Sequence, residues 1–394
     1  MRAYEGSHPW ITFKFDLSRL TYKTWMLLGE AESKCEHIAG VPVSPEFAKR
    51  FYEIYLSKGV HGTTSIEGNT LSEDEVLQRV RGELPLPSSR EYLGDEIDNV
   101  VALSNEIIQE ITAQPAPELT PARLDNFNKR LLEDQPLGED VKPGEVREHS
   151  VTVARYRGAP AEDIPYLNEQ LCKWLSSPDF VKDPADPLAF TMAVLRAILA
   201  HLYIAWIHPY GDGNGRTARI VEFEFMVQAG VPLPAAHLLS DHYNKTRDRY
   251  YQVLDRTSKV QGHPVEEFIY YALEGFVDEL RAQIAEIRSQ QRQIAWENYV
   301  HDYYRDETTA AKTRQKHLVL DLPETFVANN DIRVLTPRLA ADYAGRSARV
   351  ITRDLNEVHA AGLVVRRSGR AVRAKKELID AFLPFRASEE TPFG

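Results

Sequence analysis

Residues 208–219 read His-Pro-Tyr-Gly-Asp-Gly-Asn-Gly-Arg-Thr-Ala-Arg. Three glycines with an Asp and an Asn inside five positions predict a loop. Glycine loses backbone entropy in regular structure, and short polar side chains compete for backbone hydrogen bonds. An apolar helix precedes this loop, and a second helix is predicted from Arg216 to Gly230, shortly before Pro232. The loop amides are therefore expected at a helix N-terminus, which favours an anion.

The side chains of this stretch have complementary chemistry. His208 titrates near neutrality and could take a proton from a hydroxyl group. Asp212 offers a hard oxygen ligand for Mg²⁺ shared with phosphates. Arg216 and Arg219 are three residues apart and project from one side of the first helical turn. Together these groups are suited to attack on a polyphosphate.

Each part of this stretch also has a simpler interpretation. A glycine-rich loop before a helix is often only structural, and a single histidine beside it is more often a packed core residue. No Gly-Lys-Ser/Thr follows, and the glycine spacing is not G-x-G-x-x-G. The full pattern from His208 to Arg219, however, resembles the signature of the Fic (filamentation induced by cAMP) family, which transfers AMP from ATP to protein hydroxyls. The family usually has Phe at the position of Tyr210, and this exchange keeps the aromatic ring.

The resemblance implies roles for the residues of the loop. His208 would act as the general base on a Ser, Thr or Tyr hydroxyl of a target protein, and Asp212 would hold Mg²⁺. Arg219 would hold the γ-phosphate of ATP. The implied ATP and phosphate ligands in the loop and the next helix are Gly211, Gly213, Asn214, Gly215, Arg216, Thr217 and Arg219.

Residues 63–69 read Thr-Thr-Ser-Ile-Glu-Gly-Asn, a short helix end stopped by glycine. Taken alone, Glu67 is best interpreted as a solvated or capping carboxylate. Beside the later motif, Thr63, Glu67 and Gly68 resemble the inhibitory signature of the Fic family. The resemblance implies that Glu67 pairs with Arg219 and keeps that guanidinium from the nucleotide, since a carboxylate competes well with phosphate for arginine.

Residues 150–156 carry the one clear alternating β signal of the first 300 residues. Composition alone favours an incidental surface hairpin. The family has a β-hairpin flap at this point, which aligns the target by main-chain pairing. The resemblance assigns this docking role to Val151, Thr152 and Val153.

A tyrosine-rich segment lies beyond the loop. Tyrosines on a helix usually pack with one edge in water and contact no ligand. The pair Tyr250 and Tyr251, followed by Leu254, resembles the family element that closes over the adenine and ribose. Tyr243 is a further candidate in the same segment.

The composition is that of an ordinary globular protein, with 43% apolar and 27% charged residues in 394. The net charge of −11 argues against a protein that coats nucleic acid or anionic membrane with its whole surface. Two cysteines, Cys35 and Cys172, give neither a disulfide framework nor zinc spacing. Since no apolar signal segment is found near the N-terminus, we expect a cytoplasmic protein. The apolar run 187–207 contains Arg196 and His201, which favours a buried helix over a membrane span.

The C-terminal region differs from the rest of the chain. Residues 333–376 contain eleven Lys and Arg against three acidic residues. The order helix, turn, helix and basic hairpin resembles a winged helix-turn-helix. Such a module binds DNA, or serves in dimerisation or in docking a protein target, and the sequence leaves these uses open. The expected DNA contacts are Arg346, Arg349, Arg353 and Arg370.

Helical periodicity dominates, so the predicted fold class is mainly α: an all-helical Fic fold with a small β-hairpin flap, plus a C-terminal winged helix-turn-helix domain. The predicted divisions are an N-terminal helical region over 1–110 with an inhibitory helix ending at Glu67, the catalytic core with flap and loop over 111–290, a connecting helix over 291–330 and the winged-helix-like domain over 331–394.

The function that these features indicate is a protein adenylyltransferase, autoinhibited by Glu67. The expected partners are ATP and a protein target, which can be the chain itself, and a homodimer and DNA are further candidates, whereas a membrane is not. The same site could instead remove AMP from a modified protein or use another nucleotide donor. A candidate of another class is a DNA-binding regulator whose Fic core senses ATP.

Overall fold

The computed structural model describes residues 2–113, 117–153, 156–368 and 370–380. Two compact units divide the chain, Met1–Ile284 and Ala285–Gly394. Helices make up most of the described residues, which confirms the mainly α class. The C-terminal residues 381–394 of the predicted winged-helix-like domain lie outside the described residues.

The first unit is built from helices and one short strand pair. Its helices are α1 (Ala3–Ser7), α2 (Tyr22–Gly40), α3 (Pro45–Ser65), α4 (Glu73–Val80), α5 (Glu91–Ala113), α6 (Pro121–Leu131), α7 (Ile164–Leu175), α8 (Ala189–Ile207), α9 (Asn214–Gln228), α10 (Leu233–Ala236), α11 (Leu238–Lys245), α12 (Arg247–Lys259) and the first part of α13 (Val265–Tyr303). Short 3-10 helices cover Leu17–Arg19 and Ala161–Asp163. The strands β1 (Thr152–Val153) and β2 (Tyr156–Arg157) pair antiparallel.

Helix α3 carries the predicted inhibitory segment at its C-terminal end. Helix α3 begins after Ser44, whose hydroxyl accepts a hydrogen bond from the Phe47 amide at 3.2 Å, and Pro45 occupies the first helical position. It ends at Ser65, so that Glu67 lies in the connection to α4 and not within the helix. The following helix α4 begins with a capping box of Ser72 and Glu75, which fixes the far end of this connection.

Helix α8 forms the centre of the first unit. It is buried on nearly every side, which explains why its sequence is apolar all round. Its length and composition would suit a membrane span, yet 78% of its most apolar window is buried inside the protein. It packs along α9, and the turn between them is the stretch 208–213.

The second unit has its own core and a small sheet. Its elements after α13 are α14 (Ala310–Asp321), β3 (Val327–Ala328), α15 (Ile332–Leu335), α16 (Pro337–Asp342), α17 (Ala348–Ala360), β4 (Val364–Arg367), β5 (Ala371–Ala374) and a 3-10 helix over Lys376–Ile379. The sheet order is β3-β5-β4, and both pairings are antiparallel. The predicted hairpin is thus present as β4 and β5, whereas the two-residue strand β3 was not predicted.

The segment 291–330, predicted as a connecting helix, contains the end of α13 and the whole of α14 and carries buried apolar residues. Trp296, Val300, Tyr304 and Leu318 are buried in the core of the second unit. The apolar positions are spaced along two helices among Gln, Arg and Glu, so that one face of each helix packs while the rest stays polar. Residues 296–322 therefore contribute to the second unit rather than only linking two domains.

Candidate active site

The backbone of the turn between α8 and α9 agrees only in part with what its glycines and its proline predict. His208, the residue after α8, lies in the left-handed region at φ 52° and ψ 62°. A residue before a proline, as His208 is before Pro209, more often has an extended backbone. Gly213 has φ 76° and is the N-cap of α9, which begins at Asn214, two residues before the predicted start. A non-glycine residue held in the left-handed region is typical of a functional site.

Side chains from the turn and from α6 fix its shape. The amide of Asn214 closes the turn, since its oxygen accepts from Tyr210 N and its nitrogen donates to Tyr210 O, both at 2.8 Å. Asn128 on α6 donates to Asp212 O at 2.9 Å and to the buried Thr217 hydroxyl at 3.4 Å. A Cβ at Gly213 would lie 2.9 Å from the Asn128 amide nitrogen. Asn214 and Thr217 therefore hold the loop together through their side chains.

A cavity of about 530 Å³ opens beside this turn. His208, Gly215 and Arg219 line it from the motif, and Glu67 lines it from the end of α3. The other lining residues come from four elements: the α3–α4 connection, β2, α8 and α12. They are Ile66, Tyr156, Ala205, Trp206, Tyr250, Tyr251, Gln252, Leu254 and Asp255. The volume is that of a typical small-molecule site.

Arg219 is held at the edge of this cavity by the N-terminal signature. Its Nη2 donates to Glu67 Oε1 at 2.5 Å and to the carbonyl oxygen of Thr63 at 2.9 Å, and its Nε donates to the Thr63 hydroxyl at 2.7 Å. The Arg219 side chain is 1% exposed, whereas that of Glu67 is 28% exposed. Burial raises the pKa of the Glu67 carboxyl, but the Arg219 charge outweighs it, so the net shift is downward and the carboxylate stays ionised.

Glu67 also fills the space above the loop glycine. A Cβ at Gly215 would lie 2.1 Å from Glu67 Oε1. Glycine is therefore required at this position while the carboxylate is in place. The carboxylate lies at the N-terminal turn of α9, where the backbone amides favour an anion.

Arg216 points to a different carboxylate. Its Nη1 donates to Glu96 Oε1 on α5 at 2.7 Å, and its Nη2 donates to Asp212 Oδ1 at 3.3 Å. Glu96 is buried and its second oxygen accepts from Asn69 at 2.8 Å. The two arginines of the motif are thus bound by two carboxylates from separate elements.

His208 is half-buried, and its imidazole is neutral at pH 7. Burial and, after it, the nearby Arg147 guanidinium together lower the pKa of the imidazole to about 4. The Glu67 and Asp212 carboxylates act the other way. A neutral imidazole at pH 7 can accept a proton, as a general base must.

The three candidate tyrosines occupy different places. Tyr250 and Tyr251 line the cavity, with Tyr250 buried and Tyr251 42% exposed. Tyr243 does not line it: its ring is fully buried against Tyr250, and its hydroxyl donates to Glu222 at 2.9 Å. Tyr243 therefore lies behind the expected adenine and ribose site, because α11 ends at Lys245 and α12 turns the next tyrosines toward the cavity.

The predicted flap is present as a two-residue strand pair. Thr152 pairs with Arg157 and Val153 with Tyr156. The Val151 carbonyl accepts a hydrogen bond from Gly158 N at 3.0 Å and closes the pair at its base. Residues 154 and 155 lie outside the described residues.

Residues 118–226 match the model of the Fic/DOC family. This part of the chain is a Fic domain. The match includes the flap and the whole turn from His208 to Arg219, and it ends before the tyrosine pair.

Several proteins are similar to the chain. Protein adenylyltransferase Fic of Nematostella vectensis is 24% identical over 259 residues, which cover 64% of this chain and 55% of that protein. Protein adenylyltransferase fic-1 of Caenorhabditis elegans is 25% identical over 173 residues, 44% of this chain and 32% of that protein. The chain thus spans about a third to just over half of the length of these curated relatives.

Solved structures support the same fold. A Fic family protein from Desulfovibrio desulfuricans superposes with a TM-score of 0.55 at 16% identity, over 90% of this chain and 96% of that one. A Fic domain containing signaling protein from Bacteroides thetaiotaomicron gives a TM-score of 0.51 at 18% identity, over 67% of this chain and 98% of that one. At these identities the likeness shows the fold alone.

Asp212 is the carboxylate of the Fic loop that could hold a metal ion. Its Oδ1 accepts from Gly213 N at 2.5 Å, and its side chain is 46% exposed. Across the described part of the chain, no three His, Cys, Asp or Glu side chains come together in a way that could hold a metal. One accessible carboxylate fits Mg²⁺, which takes most of its oxygens from water and substrate phosphates.

The sequence reasoning missed three side chains that shape the Fic site. Glu96, Asn128 and Arg147 come from α5, α6 and the segment before the flap, and they bind Arg216, the loop and His208 respectively. Glu96 does leave a signal, because it is a charged residue within the buried stripe of α5 that includes Leu93 and Ile97. Spacing gives no comparable signal for the other two.

The arginines predicted to contact DNA are all surface residues of the second unit. Arg346, Arg349, Arg353 and Arg370 are exposed. Arg349 and Arg353 lie on α17, one turn apart, and Arg370 lies between β4 and β5. Arg353 Nε also lies 3.9 Å from Glu357 Oε1, and this ion pair partly neutralises the charge of the arginine.

Proposed function

We propose that the chain is a protein adenylyltransferase, which transfers AMP from ATP to a Ser, Thr or Tyr hydroxyl of a target protein, including the chain itself. One observation carries this proposal: His208, Gly215 and Arg219 line the same cavity, and Glu67 occupies the anion position within it. The names of the relatives, which are protein adenylyltransferases, support it.

The reaction follows from the positions of these groups. The target hydroxyl oxygen attacks the α-phosphorus of ATP and its proton passes to neutral His208. The bond between the α-phosphorus and the bridging oxygen breaks, and pyrophosphate leaves. The amides of Gly213, Asn214 and Gly215 at the start of α9 stabilise the phosphate charge, and Arg219 holds the γ-phosphate. Mg²⁺ at Asp212 would neutralise phosphate charge when it is bound.

Glu67 provides inhibition in this proposal. Its carboxylate occupies Arg219, which the γ-phosphate would otherwise bind, and it lies against the Gly215 backbone. Because both the carboxylate and the γ-phosphate are anions that need the same guanidinium, they exclude each other. Removal of the carboxylate then frees Arg219 and leaves the His208 imidazole neutral, because Glu67 favours its protonated form.

The test compares purified wild type, Glu67→Gly, His208→Ala and the double variant of Glu67→Gly with His208→Ala, each with Mg²⁺ and α-labelled ATP. Glu83→Gly is the matched control, since it removes an exposed carboxylate in the loop after α4. We expect a mass gain of one AMP in Glu67→Gly, little in wild type and Glu83→Gly, and none when His208 is also replaced. Absence of label in every variant, with ATP still bound, would contradict the proposal and would favour AMP removal or another donor.

The reverse reaction is the second candidate for the same site. His208 could protonate a leaving hydroxyl while Glu67, which is partly exposed in the cavity, orients water. Incubation of an AMP-modified target with wild type and Glu67→Gly separates the two candidates. Loss of AMP only with wild type would favour removal.

For the second unit, we propose a winged-helix domain that binds DNA. The order α14, β3, α15 with α16, α17 and the β4–β5 hairpin supports this assignment, and the exposed Arg349 and Arg353 lie on one helix. An electrophoretic shift with the DNA upstream of its own gene at low salt should occur and be abolished by Arg349→Ala with Arg353→Ala. No shift at low salt would contradict DNA binding and would favour dimerisation or protein docking.

A further inference from the structure

The turn that carries His208 is bound by the base of the flap. We call residues 146–149 and 156–159 the flap stem. A helix leaves its last carbonyl groups without partners inside the helix, and these groups need donors from elsewhere. At the end of α8 the flap stem supplies them: Tyr156 Oη donates to Trp206 O at 2.6 Å, Ala159 N to Ile207 O at 3.2 Å, Arg147 Nε to His208 O at 2.8 Å and Arg147 N to Pro209 O at 3.0 Å.

Arg147 is the centre of this arrangement. Besides His208 O, its guanidinium donates to His149 O and Ala159 O, each at 2.6 Å, and to Ile207 O at 3.4 Å. One fork therefore joins both sides of the flap stem to the turn. The residue is 4% exposed, and among the described residues no carboxylate lies within 4.0 Å of it. Burial lowers the pKa of this arginine to about 10.

A buried guanidinium that is bound only to carbonyl groups contributes little to the stability of the fold. Desolvation of a charge costs free energy unless it is well paired, and neutral carbonyls compensate it less than a carboxylate does. The local packing is built around it. A Cβ at Gly158 would lie 2.7 Å from Arg147 Nη2 and 3.0 Å from His208 Cβ.

We infer that Arg147 is a positioning residue for His208: its guanidinium holds the imidazole-bearing residue in the left-handed backbone and joins that backbone to the flap on which the target docks. The inference rests on the proposed function, and it deepens it. A target that pairs with the flap would press on the flap stem and, through one side chain, on the carbonyl group of the general base. Docking and proton acceptance would then depend on each other.

The charge of Arg147 has a second effect on the same histidine. The charged groups that face His208 are Arg147, Glu67 and Asp212. Burial and the Arg147 charge oppose protonation of the imidazole and the two carboxylates favour it, and the net result is a pKa of about 4. Geometry and charge can therefore be separated by choosing substitutions that change one at a time.

The experiment uses the full chain with Glu67→Gly as the parent. Arg147→Lys keeps the charge but cannot span four carbonyl groups, so we expect kcat to fall about 10-fold or more while the KM for ATP changes less than about 2-fold. Arg147→Gln also removes the charge, so the acid limb of its pH profile should move to higher pH. Arg196→Gln is the control, because burial also lowers the pKa of Arg196, which lies on α8, to about 10, and its acid limb should match the parent.

Gly158→Ala is the second variant, in case Arg147 variants fold poorly. It keeps the charge of the guanidinium, but the added Cβ would lie 2.7 Å from Arg147 Nη2 and 3.0 Å from His208 Cβ and must displace them, so kcat should fall with the acid limb unchanged. A purely structural role would lower the melting temperature of the Arg147 and Arg196 variants alike and leave the acid limb in place. Unchanged kcat in Gly158→Ala, together with unchanged kcat and an unchanged acid limb in Arg147→Gln, would overturn the inference.

Titration of the His208 imidazole by NMR does not require enzyme activity. It therefore separates failure of the proposed function from failure of the inference about Arg147. If the parent carries no label, the proposed function fails. In that case a His208 pKa that rises in Arg147→Gln, but not in Arg196→Gln, still supports the inference, and an unchanged pKa overturns it.

Discussion

Each unit of the protein contains a buried arginine paired with a carboxylate. In the Fic unit, Arg219 pairs with Glu67, and in the C-terminal unit Arg314 pairs with Asp354 through two nitrogens at 2.6 and 3.1 Å. Both arginines are 4% exposed or less. The carboxylates differ: Asp354 is fully buried, whereas Glu67 is 28% exposed.

The difference lies in what can reach the carboxylate side of each pair. Tyr343 Oη donates to Asp354 at 3.1 Å and Gln315 closes the other side, so the second pair is sealed in a core. Glu67 faces a cavity large enough for a nucleotide. An ion pair that is fully enclosed in a core stabilises the fold. In a pair that borders a cavity, another anion can replace the carboxylate on the arginine. Accessibility to a competitor, rather than burial of the arginine, distinguishes the two.

The largest expected effect is on stability. Asp354→Ala leaves a buried guanidinium unpaired and should lower the free energy of unfolding of the second unit by about 3–5 kcal/mol. Glu67→Ala should cost about 1 kcal/mol or less, because water in the cavity can hydrate Arg219. Urea unfolding measures both. Asp306→Ala, an exposed carboxylate, is the control, and equal losses for Asp354→Ala and Glu67→Ala would remove the distinction.

The next effect is on rate. In the Glu67→Gly parent, Arg219→Gln removes the group assigned to the γ-phosphate and should slow AMP incorporation about 100-fold. Arg219→Lys keeps the charge and should recover part of the loss. Initial rates with α-labelled ATP give the comparison. A rate for Arg219→Gln within half of the parent would exclude Arg219 from phosphate binding.

A smaller effect should follow from the hydroxyl that also holds Arg219. Thr63→Val removes the 2.7 Å hydrogen bond to Nε and keeps the one to the backbone carbonyl. One such bond contributes about 1 kcal/mol, so the inhibited pair should loosen and basal labelling should rise about 5-fold. Thr64→Val is the matched control, because the Thr64 hydroxyl donates within α3 to Val60 O. Equal labelling in the two variants would show that Thr63 does not contribute.

The smallest effect is expected from mild acid. The pKa of Glu67 is lowered and that of His208 is about 4, so at pH 5 the carboxylate is still charged and the imidazole still neutral. Each contribution is lost only as the pH falls through these lowered values. From pH 7 to pH 5 wild type should stay inhibited, and the Glu67→Gly rate should fall less than about 2-fold. Circular dichroism at each pH controls for unfolding, and a fall centred near pH 6.5 would contradict the neutral, half-buried imidazole.

The sequence could predict those parts of the site whose residues are close to one another along the chain. The turn from His208 to Arg219 and the Glu67 signature are short uninterrupted patterns, and the structure brings them to one cavity. Glu96 is 120 residues from Arg216, and Arg147 is 61 residues from His208, so no local pattern joins them. These contacts depend on how helices pack, which periodicity does not encode.

Two other differences have the same origin. Tyr243 was a further candidate in the tyrosine-rich segment, but the helix is interrupted at Thr246 between α11 and α12, and Tyr243 lies behind Tyr250. Strand β3 has only two residues, Val327 and Ala328, and short strands are defined by their partners rather than by their own sequence. Tertiary packing decided both.

Gly215 gives the site a property that depends on ATP supply. Its missing side chain leaves room for one anion, and Glu67 Oε1 lies 2.1 Å from the position that a Cβ would take. On the proposed function, the carboxylate is a tethered competitor whose effective concentration is constant, of the order of millimolar for a short tether. Free ATP is the variable it competes with. The wild-type protein would then need a higher ATP concentration than Glu67→Gly to reach half of its maximal rate, and a partner that shifts α3 would lower that concentration.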